Sequence, residues 1–109
     1  MTDTLKVLGQ INPTATTLTT LYTVPAATQT TVSSIMICNT TNAGTTFSVS
    51  VAIAGASDAI HQYLWYVMPL NANDTFLATL GITLATTDVV RVWASNNNVA
   101  FNMFGVEIT

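Results

Sequence analysis

The sequence predicts an all-β protein, an antiparallel two-sheet sandwich of jelly-roll or Greek-key type with about eight strands. Apolar and polar residues alternate with a period of two along most of the chain, which is the pattern of half-buried strands. Turn-forming residues interrupt this pattern at short intervals. We find no helical crossover of the kind that parallel strands require, so the strands should be antiparallel. An eight-stranded barrel is the competing topology.

Segments rich in Asn, Asp, Thr, Gly or Pro separate the predicted strands. The strands cover residues 5–11, 19–24, 30–39, 45–54, 63–68, 75–80, 89–94 and 99–108. A proline follows the first, second and fifth strands, and proline cannot donate to a sheet ladder. The turn-rich residues 39–44 predict a hairpin between the third and fourth strands. Gly105, inside the last strand, indicates a bulge or a close approach of another chain segment.

The clearest strand is the fourth, because one of its faces is apolar and the other is small or polar. We expect one core cluster from this face and two residues of the last strand: Phe47, Val49, Val51, Ile53, Phe101 and Met103. The third strand is apolar on both faces over residues 35–38, which predicts a central position. Cys38 lies in this apolar run and is expected to be a small core residue.

The chain has 109 residues, enough for one domain over residues 1–109. Residues 1–4 precede the first strand and are expected to form an extended N-terminal arm. No apolar run reaches the ~18 residues of a membrane helix, so no membrane partner is expected. The N-terminus also lacks the basic and apolar segments of a secretory signal.

Charged residues make up only 6% of the chain, and the net charge is −3 with two basic residues. This balance excludes binding to a nucleic-acid backbone as the main role. Thr, Ser and Asn replace the missing charges, although soluble monomers usually keep a charged surface. We therefore expect other subunits to cover much of the surface.

No catalytic, cofactor-binding or metal-binding residues are predicted. His61 is the only histidine, whereas a metal site normally needs several ligands. Asp58, Asp74 and Asp88 each lie in a turn-like sequence, where aspartate accepts hydrogen bonds from nearby backbone amides. The sequence therefore predicts a non-enzymatic protein without a cofactor or metal.

Three residues are candidate interface contacts: Tyr66, Trp93 and Leu5. Strict alternation places Tyr63 and Trp65 on one strand face, which we expect to be core, and Tyr66 on the opposite face. Exposed aromatic side chains can anchor a protein interface or stack on sugars. For a sugar site, Tyr66 near the asparagines at 71 and 73 is the set that the sequence offers. Leu5 would anchor the N-terminal arm.

Three stretches together resemble a known group of proteins: TLYTVPA at 20–26, the segments VSSIMICN and TTFSVSV at 32–39 and 45–51, and VAFNMFGVE at 99–107. They are similar to small β-sandwich structural proteins of tailed bacteriophage virions, of the capsid decoration or cement type. The resemblance implies a virion component assembled in the host cytoplasm, with no catalytic residues.

As a cement protein the chain would bind the major capsid protein, or another virion protein, on the outer surface of the head. A homotrimer would match the threefold positions of a shell. The alternative is a tail, baseplate or adaptor subunit, with receptor or glycan binding as a further option.

Overall fold

A computed structural model describes residues 2–109 of this chain, with Leu80 described by its backbone alone. Two three-residue 3-10 turns, Ile53–Gly55 and Ile60–Gln62, accompany the strands. The eight strands are β1 (Asp3–Ile11), β2 (Thr19–Thr23), β3 (Gln29–Asn39), β4 (Thr45–Ala52), β5 (Tyr63–Leu70), β6 (Thr75–Leu84), β7 (Val89–Ala94) and β8 (Val99–Ile108). The prediction of an all-β fold is confirmed.

The strands form two antiparallel sheets that pack as a sandwich. Sheet I has the order β1-β8-β3-β6, and sheet II has the order β2-β7-β4-β5. Four antiparallel pairs are nested in the sequence: β1 with β8, β2 with β7, β3 with β6, and β4 with β5. This is a long hairpin rolled over on itself, which is the jelly-roll topology. The sandwich prediction is confirmed, and the barrel is not the topology formed.

The predicted hairpin between the third and fourth strands is wrong, because β3 and β4 belong to different sheets. The connection after Asn39 crosses from sheet I to sheet II. The Asn39 side chain fixes this crossing by donating to the carbonyl oxygens of Ala43, at 2.8 Å, and Asn71, at 3.1 Å. Turn-forming residues signal a change of direction, but they do not specify which strand becomes the next neighbour.

The first strand begins earlier than the sequence predicts. Asp3 pairs with Ile108 and Thr4 with Glu107, so β8 provides a backbone partner for each. The backbones of Thr2 and Thr109 also exchange hydrogen bonds of 2.8 and 2.9 Å. The prediction of an N-terminal arm over residues 1–4 is therefore wrong for residues 2–4, and Met1 lies outside the described residues.

The core lies between the two sheets, and the predicted core cluster is largely confirmed. Phe47, Val49, Phe101 and Met103 are at most 1% exposed, and the rings of Phe47 and Phe101 pack edge-on with centroids 6.5 Å apart. Val51 is partly buried at the margin of the core.

The prediction is wrong for Ile53, which is 76% exposed. β4 ends at Ala52, and a 3-10 turn follows in which Ala54 adopts a φ of 53°. The turn takes Ile53 out of the alternating pattern.

Two predictions about interior positions of sheet I have different outcomes. Cys38 is partly exposed on the outer face, because its neighbours Ile37 and Asn39 occupy the buried face, so its assignment to the core is wrong. Gly105 does mark a close approach, because a Cβ atom there would overlap the carbonyl oxygen of Thr31 and the side chain of Leu8. The absence of a side chain thus lets β3 and β1 pack tightly around β8.

Candidate functional site

The three predicted contact residues lie on opposite faces of the sandwich. Tyr66 is 68% exposed and shares a recess on the outer face of sheet II with Trp93, which is partly buried. Leu5 is 80% exposed and lies on the outer face of sheet I. The structure therefore brings together two of the three residues and defines two separate surfaces.

The aromatic recess is formed by two irregularities in β5. The register against β4 shifts on either side of Val49, so that Met68 pairs with Phe47 and Trp65 pairs with Val49. Both Trp65 and Met68 consequently pack against the core, while Tyr66 and Val67 between them are exposed. Val67 has a φ of 50°, a conformation that a β-branched residue rarely adopts.

The same shifts overturn the predicted sharing of a face by Tyr63 and Trp65. Tyr63 pairs with Ser50 on the outer side of sheet II and packs edge-on against Tyr66, with ring centroids 4.9 Å apart. Trp65 points inward and packs edge-on against Phe76 at 5.3 Å, as expected for a core residue. Strict alternation predicts the opposite arrangement because it allows no extra residue in a strand.

The recess has a volume of about 200 Å³, and its lining is mainly aromatic. The lining residues are Ser48, Tyr63, Tyr66, Val67 and Trp93. The Ser48 hydroxyl oxygen accepts a hydrogen bond of 2.8 Å from the Val67 backbone N–H, which holds the irregular part of β5 against β4. A neighbouring hollow of about 310 Å³ adds Ile60, which is 90% exposed. These rings can stack on a planar or ring-shaped group.

Two charged side chains, Asp58 and Arg91, lie near Tyr63 at the recess. The Tyr63 hydroxyl donates to an Asp58 carboxylate oxygen at 3.0 Å. Burial and this hydrogen bond, in that order, raise the pKa of Tyr63 above 10.0, so it is a neutral hydroxyl group at physiological pH. The Arg91 guanidinium donates to the carbonyl oxygens of Ala56 and Gly55, at 2.8 and 3.2 Å. Asn71 and Asn73, which the sequence groups with Tyr66, lie in the turn before β6 and do not line the recess.

The outer face of sheet I is the second surface, and we call it the neutral face. It consists of outward-pointing residues in consecutive cross-strand rows of β1, β8, β3 and β6. The large apolar members of its three middle rows are Leu5, Val7, Met36, Leu77, Phe104 and Val106. Leu5, Val7, Met36 and Leu77 are 37–80% exposed, and the other two are partly exposed. Leu8, Met103 and Ile35 are buried, so their strand neighbours Val7, Phe104 and Met36 point outward.

A polar network joins the two sheets at one end of the sandwich. The Tyr22 hydroxyl lies 2.8 Å from the Thr30 hydroxyl and donates to a Glu107 carboxylate oxygen at 2.5 Å. Lys6 donates to the other Glu107 oxygen at 3.2 Å. Burial, followed by the hydrogen bond to Glu107, raises the pKa of Tyr22 to about 12. The hydrogen bond from Tyr22 lowers the pKa of Glu107, with a smaller contribution from Lys6.

The acidic residues in turns have local structural contacts. Asp88 accepts hydrogen bonds from the backbone N–H groups of Ala85 and Ala54, at 2.9 and 3.0 Å, and Asp74 accepts one from Thr75 at 2.8 Å. The prediction of turn-forming aspartates is confirmed for both. His61 is exposed in the second 3-10 turn.

Within residues 2–109, no three potential metal-binding side chains cluster. None of the helical segments described has the length and apolarity to cross a bilayer. Comparison with protein-family models gives no match, and no curated protein matches the sequence.

Proposed function

We propose that this chain is a non-enzymatic structural subunit of a tailed-bacteriophage virion. In this proposal it is a capsid decoration or cement protein that binds the outer surface of the head as a homotrimer and stabilises the shell. Its partner is the major capsid protein or another virion protein, and it joins the particle in the host cytoplasm. The observation that carries this proposal is the way in which the fold uses its few charged side chains.

Among the described residues, six of the seven charged side chains make hydrogen bonds within the subunit. Lys6 and Glu107 bond to each other, and Arg91 bonds to backbone carbonyl groups. Asp58, Asp74 and Asp88 accept hydrogen bonds from nearby donors. Only Asp3 has no such contact within the part of the chain that is described, and it is exposed.

This use of charge supports a subunit that is covered by other proteins. A soluble monomer usually carries many charges of both signs on its surface. Removing charged groups from water is costly, whereas apolar side chains gain from being covered and a Thr or Ser hydroxyl needs only a hydrogen bond from the partner to offset its lost water. Outer faces with few free charges therefore favour a protein whose working state is an assembly. The jelly roll also occurs in viral capsid proteins, which supports the proposal by analogy alone.

The test is binding to phage heads. Purified protein should give a light-scattering mass of about three times 11.6 kDa. It should sediment with expanded heads that lack it, occupy hundreds of sites per particle, and raise the temperature at which the heads break. A protein that never sediments with heads would contradict the proposal.

A tail, baseplate or adaptor subunit is the second candidate, and the aromatic recess favours it. Tyr66, Tyr63 and Trp93 expose ring surfaces beside Asp58, a combination that can stack on a sugar ring and accept hydrogen bonds from its hydroxyl groups. In that case the chain should occur in three to about a dozen copies per particle. It should also bind host-cell glycans, and Tyr66→Ala should weaken this binding.

A further inference from the structure

We infer that the neutral face is the surface through which copies of this chain bind one another. The inference rests on the proposed function, because it names the interface of the proposed homotrimer. Three properties carry it: the position of the apolar side chains, the distribution of charge, and the irregular edges of both sheets.

The apolar side chains form a diagonal band across all four strands of sheet I. Leu5 and Val106 share one cross-strand row, Val7 and Phe104 share the next, and Met36 and Leu77 share the third. The remaining positions of these rows are Gln, Ser, Thr and Asn. Apolar patches of this extent on a small protein commonly mark interaction sites. A continuous band is more consistent with a protein partner than with a small ligand.

The area of the face can be compared with that of known subunit interfaces. Four strands about 4.8 Å apart and nine to eleven residues long give a surface of about 19 by 30 Å, or roughly 600 Å². A standard interface buries about 800 Å² on each partner. The neutral face is therefore somewhat smaller than one partner's share of a standard interface, and a closed trimer buries it in two parts, about half against each neighbour.

The charge distribution favours a second copy as the occupant. Each copy has a net charge of −3, so copies repel one another unless they meet where charge is absent. Among the described side chains of this face, only Asp3 is charged, and it lies at one end, opposite Ile108. The outer side of sheet II carries Arg91, with Asp58 beside it. Contact through the neutral face therefore joins two copies without bringing the acidic side chains of one copy close to those of the other.

The edges of the sheets are poorly suited to self-association. All four edge strands have irregular pairing with their neighbours: β1 at Val7/Gly9, β2 at Thr20/Tyr22, β5 on both sides of Val49, and β6 opposite Val32/Ser34. Bulges twist an edge and interrupt its free backbone groups, which opposes the addition of another strand. Association by a face is thus favoured over continuation of a sheet.

A closed trimer can use this single face. If the β1–β8 half of one copy covers the β3–β6 half of the next, the contact is heterologous, and it forms a closed trimer when each copy is rotated by one third of a turn from the last. Leu5 and Val7 then lie on one half of the interface, and Met36 and Leu77 lie on the other. A lysine placed in either half would have to lose its water on association.

The experiment compares two matched substitutions by sedimentation equilibrium. Leu77→Lys changes an exposed leucine on edge strand β6, and Leu64→Lys changes a 40%-exposed leucine on edge strand β5 of the other sheet. We expect Leu77→Lys to weaken self-association at least tenfold and Leu64→Lys to behave as wild type. Far-UV circular dichroism would check that both variants fold.

Val7→Thr provides a gentler second variant, because it keeps the shape of the side chain and replaces one methyl group with a hydroxyl group. It should also weaken self-association while leaving the fold intact. The inference is overturned if Leu77→Lys and Val7→Thr associate as wild type does, if Leu64→Lys dissociates equally, or if wild type is a monomer. Binding to phage heads is measured separately. If wild type associates through this face but never binds heads, the proposed function is refuted and the interface is not. If Leu77→Lys and Val7→Thr still form the trimer and bind heads, the interface is refuted and the proposed function is not.

Discussion

Two isoleucines in this chain occupy opposite environments. Ile35 is fully buried between the sheets, whereas Ile53 is 76% exposed in the turn after β4. Ile35→Ala removes core contacts and leaves a cavity, so it should lower the free energy of unfolding by about 2–5 kcal/mol. Ile53→Ala makes the same chemical change at the surface and should alter stability by less than about 0.5 kcal/mol.

Urea denaturation followed by tryptophan fluorescence measures both effects. Equal losses for the two variants would place Ile53 in the core, as simple alternation along the strand predicts, and would contradict the turn at Ile53–Gly55.

The polar network around Glu107 makes stability dependent on pH at both extremes. Because the folded protein lowers the pKa of Glu107, its contribution to stability is complete above the ordinary value of 4.5 and is lost as the pH falls through the folded-state pKa. The contribution of Tyr22 to stability depends on pH in the opposite direction. Its pKa rises from 10.0 to about 12 on folding, so its contribution is complete below pH 10 and is lost as the pH rises towards 12.

Glu107→Gln should therefore flatten the acid limb of a plot of stability against pH, and Tyr22→Phe should flatten the alkaline limb. At neutral pH, Tyr22→Phe should also cost about 1–3 kcal/mol, because it removes a hydrogen bond to a charged group. Chemical denaturation at a series of pH values measures these limbs. If the plots of stability against pH for both variants run parallel to that of wild type, the hydrogen-bond network around Glu107 does not form.

At the scale of strands, β-bulges limit how well the sequence predicts which face of a strand each side chain occupies. The alternation of apolar and polar residues predicts every strand, and the bounds of β7 and β8 are as expected. It does not predict which face Tyr63 occupies, because the irregular pairing of β5 reverses the alternation. The free energies that place a bulge arise from contacts with neighbouring strands, and single-strand patterns do not contain them.

Glycine positions in the strands provide a matched test of the packing between them. Gly105→Ala would force a methyl group onto the Thr31 carbonyl oxygen and Leu8, so β8 must shift away from both neighbouring strands. We expect a loss of about 1–3 kcal/mol, as for other overpacked interiors. Gly81→Ala has no atom within 4 Å of the added carbon and should be close to neutral.

Thermal unfolding of the two glycine variants gives the comparison directly. A Gly105→Ala protein as stable as wild type would show that β1, β8 and β3 do not approach as closely as the structure has them.

At the scale of the whole molecule, the candidate surfaces were only partly predictable. The sequence identifies Tyr66 and Trp93 as exposed aromatic residues, and the structure joins them in one recess. Ser48 and Ile60 are missed, because the irregular pairing of β5 brings Ser48 into the recess and a 3-10 turn places Ile60 in the neighbouring hollow. The neutral face also depends on strand order, since its rows combine residues from β1, β8, β3 and β6. One sequence does not specify that order.

Self-association through the neutral face should be insensitive to salt. The one ion pair among the described residues, Lys6 with Glu107 at 3.2 Å, lies within a subunit and does not need to break or form on association. At about 1 M salt the screening length falls to ~3 Å, which would weaken a contact held by charges. Apolar contacts are not screened, and salts that are excluded from protein surfaces strengthen them.

We therefore expect the dissociation constant of the proposed trimer to change less than about threefold between low salt and about 1 M NaCl, at a fixed pH of 7. Sedimentation equilibrium at several salt concentrations measures it, and retention on phage heads after washing with the same solutions extends the test to the particle. Dissociation that steepens with salt would show that charged groups hold the subunits together. Such a result would require an interface near Asp58 and Arg91 on sheet II, because the neutral face carries only Asp3 among its described side chains.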